Sequence, residues 1–294
     1  MKNTGVFWVL ICLCGILRAQ TPLSQDEALK QMYGNYDSNT KTTTLPCTEA
    51  QRADNEKTHG SWWPCYKDDS MVSIQVILMA AVPTWTDPKH KTDETYLVTS
   101  AVPAHDPSGF ECHACQPAIG VAQFIWQDQR WKLETANATV GFYGSWGGPP
   151  FVDLVAIGPS RYGVLVSVED GGQGYTDGYK WLLAPIGKTV AEVWNIQDEQ
   201  DDFGAYDPKG VDGPSIRYRS AAAIRFSCIF DDSCANGNSY FDIEVISRGL
   251  DARGTKTSLK PQNWTNIYQF KDGKYQLVQH QQFIEKKAVQ NRGR

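Results

Sequence analysis

The residues best suited to chemistry in this chain are Cys112, His113 and Cys115, which form a Cys-His-Ala-Cys segment. A Cys-X-X-Cys pair can exchange electrons when a helix N-terminus lowers the pKa of one thiol. Here a proline and a strand-like pattern follow instead of a helix, and covalent haem attachment would need a histidine where Gln116 stands. A structural disulfide is therefore favoured, with thiol redox chemistry as one alternative.

A metal site is the other alternative at this segment. His105, Cys112, His113 and Cys115 lie within eleven residues and carry imidazole and thiolate donors. Adjacent residues such as Cys112 and His113 rarely both reach one ion. The disulfide therefore remains the preferred interpretation.

Aspartates supply the hard oxygen ligands that calcium prefers, and one segment is rich in them. The calcium candidates are Asp198, Asp201, Asp202 and Asp207. Their spacing does not follow an EF-hand loop, which places acids at alternating positions and ends with a glutamate. A solvated acidic linker is favoured over a calcium site, and no other cofactor is expected.

Two glycine-rich segments fail the tests for catalytic or phosphate-binding loops. A serine hydrolase elbow needs a glycine two residues before its serine, and Tyr143 occupies that place before Ser145. The segment from Asp170 to Gly174 precedes no helix, so it lacks the setting of a phosphate-binding loop. We therefore predict no catalytic residues, which favours a protein that is not an enzyme without deciding the question.

Aromatic residues in predicted loops are candidate binding residues, because exposed rings stack on sugars or anchor protein partners. Trp62 lies close to Cys65 and could equally shield a disulfide there. Together with two acidic residues, the binding candidates are Trp62, Trp63, Trp85, Tyr143, Trp146, Asp201 and Asp202.

The first 20 residues predict export. Lys2 provides a positive start, and Val6 to Leu17 form an apolar run of signal-peptide length that is too short to span a membrane. Cleavage after Ala19 would leave a chain without membrane insertion. We therefore expect a periplasmic or secreted protein.

Six cysteines remain after this cleavage, and an even number in an exported chain predicts a set of disulfides. Their order suggests three local bridges: Cys47–Cys65, Cys112–Cys115 and Cys228–Cys234.

The charge balance limits the kinds of partner. Removing Lys2 and Arg18 from the 28 basic residues leaves 26 against 33 acidic residues, a net charge of −7. Nucleic acids and anionic membranes attract clustered basic residues, so both are disfavoured as partners.

The pattern of apolar residues predicts a mainly β fold. Ser24 to Glu27 resembles a capping box, which predicts a helix over 28–33, and residues 35–61 show no period and are expected to form an extended arm. Turn residues separate the predicted strands, and Asp272-Gly273 is the strongest hairpin signal. The predicted strands cover 71–82, 96–102, 120–126, 130–133, 151–157, 163–168, 179–184, 190–194, 222–230, 240–247, 264–270 and 275–280.

We expect an antiparallel β-sandwich or a propeller-like β-rich domain, stapled by disulfides and preceded by a short helix. Segments 123–134 and 267–278 share one hairpin plan, which two related modules or blades of one propeller-like fold would produce. Any two amphipathic hairpins look similar, so a duplication is not favoured. The predicted divisions are a signal peptide (1–19), a helix and arm (20–66), a β-rich module (67–197), an acidic glycine-rich linker or loop (198–213), a second β-rich module or continuation (214–285) and a basic tail (286–294).

The hairpin from Tyr268 to Tyr275, with its Tyr-X-Phe-X-Asp-Gly-X-Tyr pattern, is similar in style to secreted bacterial β-rich proteins, some of them periplasmic inhibitors or immunity proteins. We expect a non-enzymatic binding protein whose aromatic and acidic loops hold a basic protein partner, such as a toxin or a cell-wall hydrolase. The alternatives are a thiol-redox or glycan-hydrolysing enzyme and a carbohydrate-binding module.

Overall fold

A computed structural model describes residues 21–49, 65, 70–81, 85–86, 93–105, 110–172, 174–201, 218–229, 240–251 and 260–283. These residues form a mainly antiparallel β structure with one short helix, as predicted. The elements are α1 (Gln25–Tyr33), β1 (Thr42–Pro46), β2 (Met71–Ala81), β3 (Trp85–Thr86), β4 (Asp93–Pro103), β5 (Ala118–Gln127), β6 (Arg130–Phe142), β7 (Phe151–Gly158), β8 (Arg161–Gly172), β9 (Tyr175–Ile186), β10 (Thr189–Asp201), β11 (Tyr218–Ser227), β12 (Asp242–Asp251), β13 (Lys260–Pro261), β14 (Trp264–Lys271) and β15 (Lys274–Gln282).

The described strands form two sheets. The first has six strands in the order β1-β2-β4-β5-β6, with β3 paired to β4. The second has nine strands in the order β15-β14-β12-β11-β10-β9-β8-β7, with β13 paired to β12. Most neighbours in space are also neighbours in sequence, as expected for strands joined by short hairpins.

Successive residues of one strand enter different hydrophobic cores, because side chains alternate between the two faces of a sheet. Leu183 of β9 packs with Val98 of β4 in the core between the two sheets. Leu182 points to the other face and packs with Ile243 of β12. All buried members of this second core belong to the nine-stranded sheet. All four side chains are fully buried, and each contributes about 1.5–3 kcal/mol of hydrophobic stabilisation.

The helix covers the outer face of the six-stranded sheet through Ala28 and Leu29. It begins three residues before the predicted range, and the side chain of Ser24 makes no cap hydrogen bond. The carbonyl of Ser24 instead accepts the Ala28 N–H at 2.9 Å. Gly34 ends the helix with a positive φ of 74°, which glycine adopts at little steric cost. No helix in the described part of the chain is long and apolar enough to cross a membrane.

The predicted arm over 35–61 contains a strand that the sequence analysis did not predict. Thr43 and Leu45 of β1 are buried and alternate with less buried neighbours, as the half-buried edge of a sheet requires. β1 pairs with β2 along its whole length. A disulfide between Cys47 and Cys65 follows directly, with a Cα–Cα distance of 5.6 Å.

Two of the three predicted disulfides, Cys47–Cys65 and Cys112–Cys115, are confirmed. Cys228 is also disulfide-bonded, and its predicted partner Cys234 lies outside the described residues. Disulfides persist under oxidising conditions, so these bridges indicate an extracytoplasmic environment.

The predicted acidic linker begins inside a strand. Residues 198–201 belong to β10, which pairs with β9 and then, across residues 202–217, with β11. One sheet therefore spans the predicted linker, while the step from one sheet to the other falls between β6 and β7. The division into modules stays a prediction.

Candidate functional site

The disulfide loop from Cys112 to Cys115 docks on the loop that carries Trp146. The disulfide closes a tight turn in which the Cys115 N–H donates to the Cys112 carbonyl at 2.9 Å. The Trp146 N–H donates to the His113 carbonyl at 3.3 Å, and the Gly147 N–H donates to the Cys115 carbonyl at 2.8 Å. These bonds fix the position of Trp146 against the disulfide loop.

The loop that carries Trp146 has a strained backbone at this residue, and the Trp146 side chain is exposed to solvent. Trp146 is 57% exposed and has a φ of 54°, a left-handed conformation that costs a non-glycine residue about 1–2 kcal/mol. Gly147 follows with a φ of 71°, and a Cβ there would lie 1.6 Å from the Phe110 carbonyl oxygen, so only glycine fits. An exposed tryptophan held in such a conformation marks a candidate binding site.

The β8–β9 hairpin forms the opposite wall. Val168 of β8 belongs to the core between the sheets, so Asp170, two residues further on, lies on the same face beyond the core. On β9 that face carries Tyr179, Asp177 and then Tyr175, which is 48% exposed. The hairpin therefore changes from apolar to acidic and aromatic as it leaves the core.

Two carboxylates face each other on this hairpin. Asp170 and Asp177 are direct cross-strand partners, a placement that is destabilising for like charges. Asp170 lies 3.0 Å from His113 Nε2, and Asp177 accepts a hydrogen bond from Gln197 at 2.8 Å. No Lys or Arg in the described part of the chain forms an ion pair with either carboxylate. Burial is the main cause that raises the pKa of Tyr179, and the negative charges of Asp177 and Asp170 raise it further. The electrostatic field around the two carboxylates is therefore negative.

The two walls enclose a hollow of about 530 Å³, which we call the aromatic–acidic pocket. Trp146 packs edge-to-face on His113, with ring centroids 5.0 Å apart. The hollow can offer ring faces and carboxylates to one ligand at the same time. Its lining residues are His113, Trp146, Asp170, Gly171, Gly172, Tyr175 and Asp177.

Of the predicted binding residues, Trp146 lines this pocket and Tyr143 does not. Tyr143 is buried, and its hydroxyl donates to Glu192 at 3.0 Å. Burial, followed by the charge of Glu192, raises the pKa of Tyr143. Its ring packs against Trp181 at 5.1 Å, so Tyr143 belongs to the core between the sheets and does not present a surface to ligands.

The other predicted binding residues lie elsewhere. Trp85 was expected in a loop, but its backbone forms β3 and pairs with β4. Asp201 ends β10 and does not line the pocket. Trp62, Trp63 and Asp202 lie outside the described residues.

The calcium candidates that the structure describes do not form a metal site. Asp198 lies 3.0 Å from Lys180 Nζ, so its charge is already neutralised by a cation. Within the described ranges, no three His, Cys, Asp or Glu side chains converge on a point that could hold an ion. Asp207, like Asp202, falls outside them. At the disulfide loop, Cys112 and Cys115 are bonded to each other and are not thiolate ligands.

A second hollow of about 540 Å³ lies between the six-stranded sheet and the turns of the nine-stranded sheet. It contains Glu94 and Glu134, the residue type that glycosidases use in pairs. Glu94 is engaged by the Gln123 amide, and Arg161 lies over the Tyr240 ring at 4.8 Å. This cleft carries charges of both signs and no exposed aromatic anchor like Trp146.

Sequence reasoning missed most of the pocket. His113 was considered only as a metal ligand, and Tyr175, Asp170 and Asp177 were not predicted as site residues. The alternation of side chains along a strand could have indicated them. Two residues after Val168 comes Asp170, and the steps of two back from Tyr179 reach Asp177 and Tyr175, all on the same face of the sheet.

Comparison with family models, with curated proteins and with solved structures finds no match to this chain.

Proposed function

We propose that this chain is an exported, non-enzymatic binding protein that holds a basic protein partner at the aromatic–acidic pocket. One observation carries the proposal: two exposed aromatic side chains, Trp146 and Tyr175, stand beside a pair of carboxylates that no described Lys or Arg neutralises. Trp and Tyr dominate the binding energy of protein interfaces, and complementary charge selects the partner.

The setting supports the same role. The disulfides favour an extracytoplasmic environment, and the predicted signal peptide favours the periplasm or secretion. A net charge of −7 after cleavage of residues 1–19 attracts basic proteins over a distance set by ionic strength. A toxin or a cell-wall hydrolase is the class of partner we propose, with the chain acting as an inhibitor or immunity-type protein.

A photo-crosslinking experiment tests this proposal. A benzophenone amino acid in place of Tyr175 keeps Trp146 intact and lies at the pocket mouth. The matched control is the same amino acid at Phe151, which is 74% exposed on β7 and outside the pocket. We expect one protein to be captured in stoichiometric amount at position 175 and not at position 151.

Affinity of the purified partner completes the test. Trp146→Ala should weaken its binding at least about tenfold, which corresponds to about 1.4 kcal/mol, while Phe151→Ala should leave it unchanged. Equal capture at positions 175 and 151, or an unchanged Kd for Trp146→Ala, would contradict the proposal.

Carbohydrate binding is a second candidate, favoured by the same exposed rings of Trp146 and Tyr175. Aromatic faces stack on sugars without needing a net charge. Glycan-array binding that is lost in Trp146→Ala would select this function over protein binding.

A further inference from the structure

We infer that the aromatic–acidic pocket receives an arginine side chain of the partner. The inference rests on the proposed function for its partner, and it adds the chemical group that the pocket recognises. A guanidinium group is planar and permanently charged, stacks on aromatic faces, and donates two parallel hydrogen bonds to a carboxylate. The pocket presents all the complementary groups within one hollow.

The carboxylate pair is the first reason for a cation. Asp170 and Asp177 lie directly opposite each other on neighbouring strands, and their shared face opens into the pocket. His113 contacts Asp170 alone, and Gln197 brings no charge to Asp177. A guanidinium between the two carboxylates would replace their mutual repulsion with two attractive contacts, which a neutral sugar cannot do.

The shape of the pocket is the second reason. Trp146 stands on one wall and Tyr175 on the other, and both rings are about half exposed, at 57% and 48%. The lining between them includes Gly171 and Gly172, which have no side chains, and a Cβ at Gly172 would meet no atom within 4 Å. A flat cation therefore has open access to both a ring face and the carboxylates.

Fluorine NMR of protein labelled with 5-fluorotryptophan tests this inference directly. The Trp146 signal is assigned by its disappearance in Trp146→Phe. We expect N-acetylarginine amide to shift this signal with a Kd on the order of 10 mM or tighter. N-acetylcitrulline amide has nearly the same shape without the charge, and it should bind at least about tenfold more weakly. Added salt should weaken the arginine response, because the pocket is open to solvent.

Two carboxylate variants provide a matched comparison. Asp177→Asn should weaken arginine binding about fivefold, because it removes one of the two charges and keeps the side-chain shape. Asp153→Asn removes an exposed carboxylate of β7 outside the pocket and should leave the Kd unchanged. Unshifted signals from the other tryptophans show that both variants remain folded.

Three outcomes would overturn the inference: equal binding of the citrulline compound, a response to maltotriose or chitobiose without a response to arginine, and no response to any probe. Failure here is separable from failure of the proposed function. If a partner is captured at position 175 and free arginine does not bind, the protein-binding function stands and the arginine site fails. If arginine binds and no partner is captured, the site stands and the proposed function fails.

Discussion

Gly147 connects the loop of Trp146 to the disulfide loop through its hydrogen bond to Cys115. Its replacement by alanine should both destabilise the protein and abolish arginine binding at the pocket. At a φ of 71°, the new Cβ would lie 1.6 Å from the Phe110 carbonyl oxygen. Backbone atoms cannot rotate away as a side chain can. The loop around Trp146 therefore has to move away from the disulfide loop.

The expected cost of Gly147→Ala has two parts. An alanine in the left-handed region costs about 1–2 kcal/mol. Displacement of the loop breaks the hydrogen bond from Gly147 to the Cys115 carbonyl, which adds about 1 kcal/mol. The free energy of unfolding should therefore fall by about 2–3 kcal/mol.

Gly273→Ala is the matched control. Gly273 has a φ of 83°, and a Cβ there would meet no atom within 4 Å, so this variant carries the conformational cost alone. Urea unfolding should show Gly147→Ala to be less stable than Gly273→Ala by about 1 kcal/mol. Only Gly147→Ala should lose the arginine response of Trp146. If the free energies of unfolding of the two variants agree within about 0.5 kcal/mol and both variants bind arginine, then contact with Phe110 does not displace the loop in Gly147→Ala.

Two further predictions concern the disulfide loop and Tyr33, the partly buried last residue of the helix. Replacing both Cys112 and Cys115 with serine should lower the free energy of unfolding by about 2 kcal/mol, the value that chain entropy gives for so short a loop, and should reduce the arginine-induced shift of Trp146. A stability unchanged in urea would contradict this. Burial raises the pKa of Tyr33 from 10.0 to about 12, so its protonated form is favoured in the folded state. The resulting stabilisation is complete well below pH 10 and is lost as the pH rises towards 12, by about 1 kcal/mol between about pH 9 and about pH 11. Tyr33→Phe should lack this part of the alkaline loss in urea titrations, and an identical pH profile would refute the assignment.

The strands and tight turns of this fold are legible in the sequence because their causes are local. Asp272 and Gly273 have φ values of 52° and 83°, the left-handed pair that an Asp-Gly hairpin predicts. Asp128 and Gln129 form a similar turn, with φ values of 53° and 62°. The mainly apolar run that begins at Met71 forms β2. Period and turn chemistry are enough for such elements.

The pocket could not be predicted in the same way because its walls meet through tertiary packing. Apolar residues define the predicted ends of β8 and β9 at 168 and 179, but hydrogen bonding carries both strands past Asp170 and Asp177 to Gly172 and Tyr175. No local pattern indicates that His113 will meet Trp146, since their contact depends on how the two loops dock on each other. Tyr143 shows the converse error, because its glycine-rich surroundings predict an exposed loop and the fold buries its ring.

β9 is held by a hydrophobic core on each of its faces, through Leu182 and Leu183. A strand anchored on both faces cannot tilt or slide without opening both cores, so the base of the β8–β9 wall resists such movements. The proposed partner would therefore meet a wall that is already ordered and would lose little entropy in ordering it. For a pre-organised surface of this kind, related partners differ mainly in their dissociation rate constants and much less in their association rate constants.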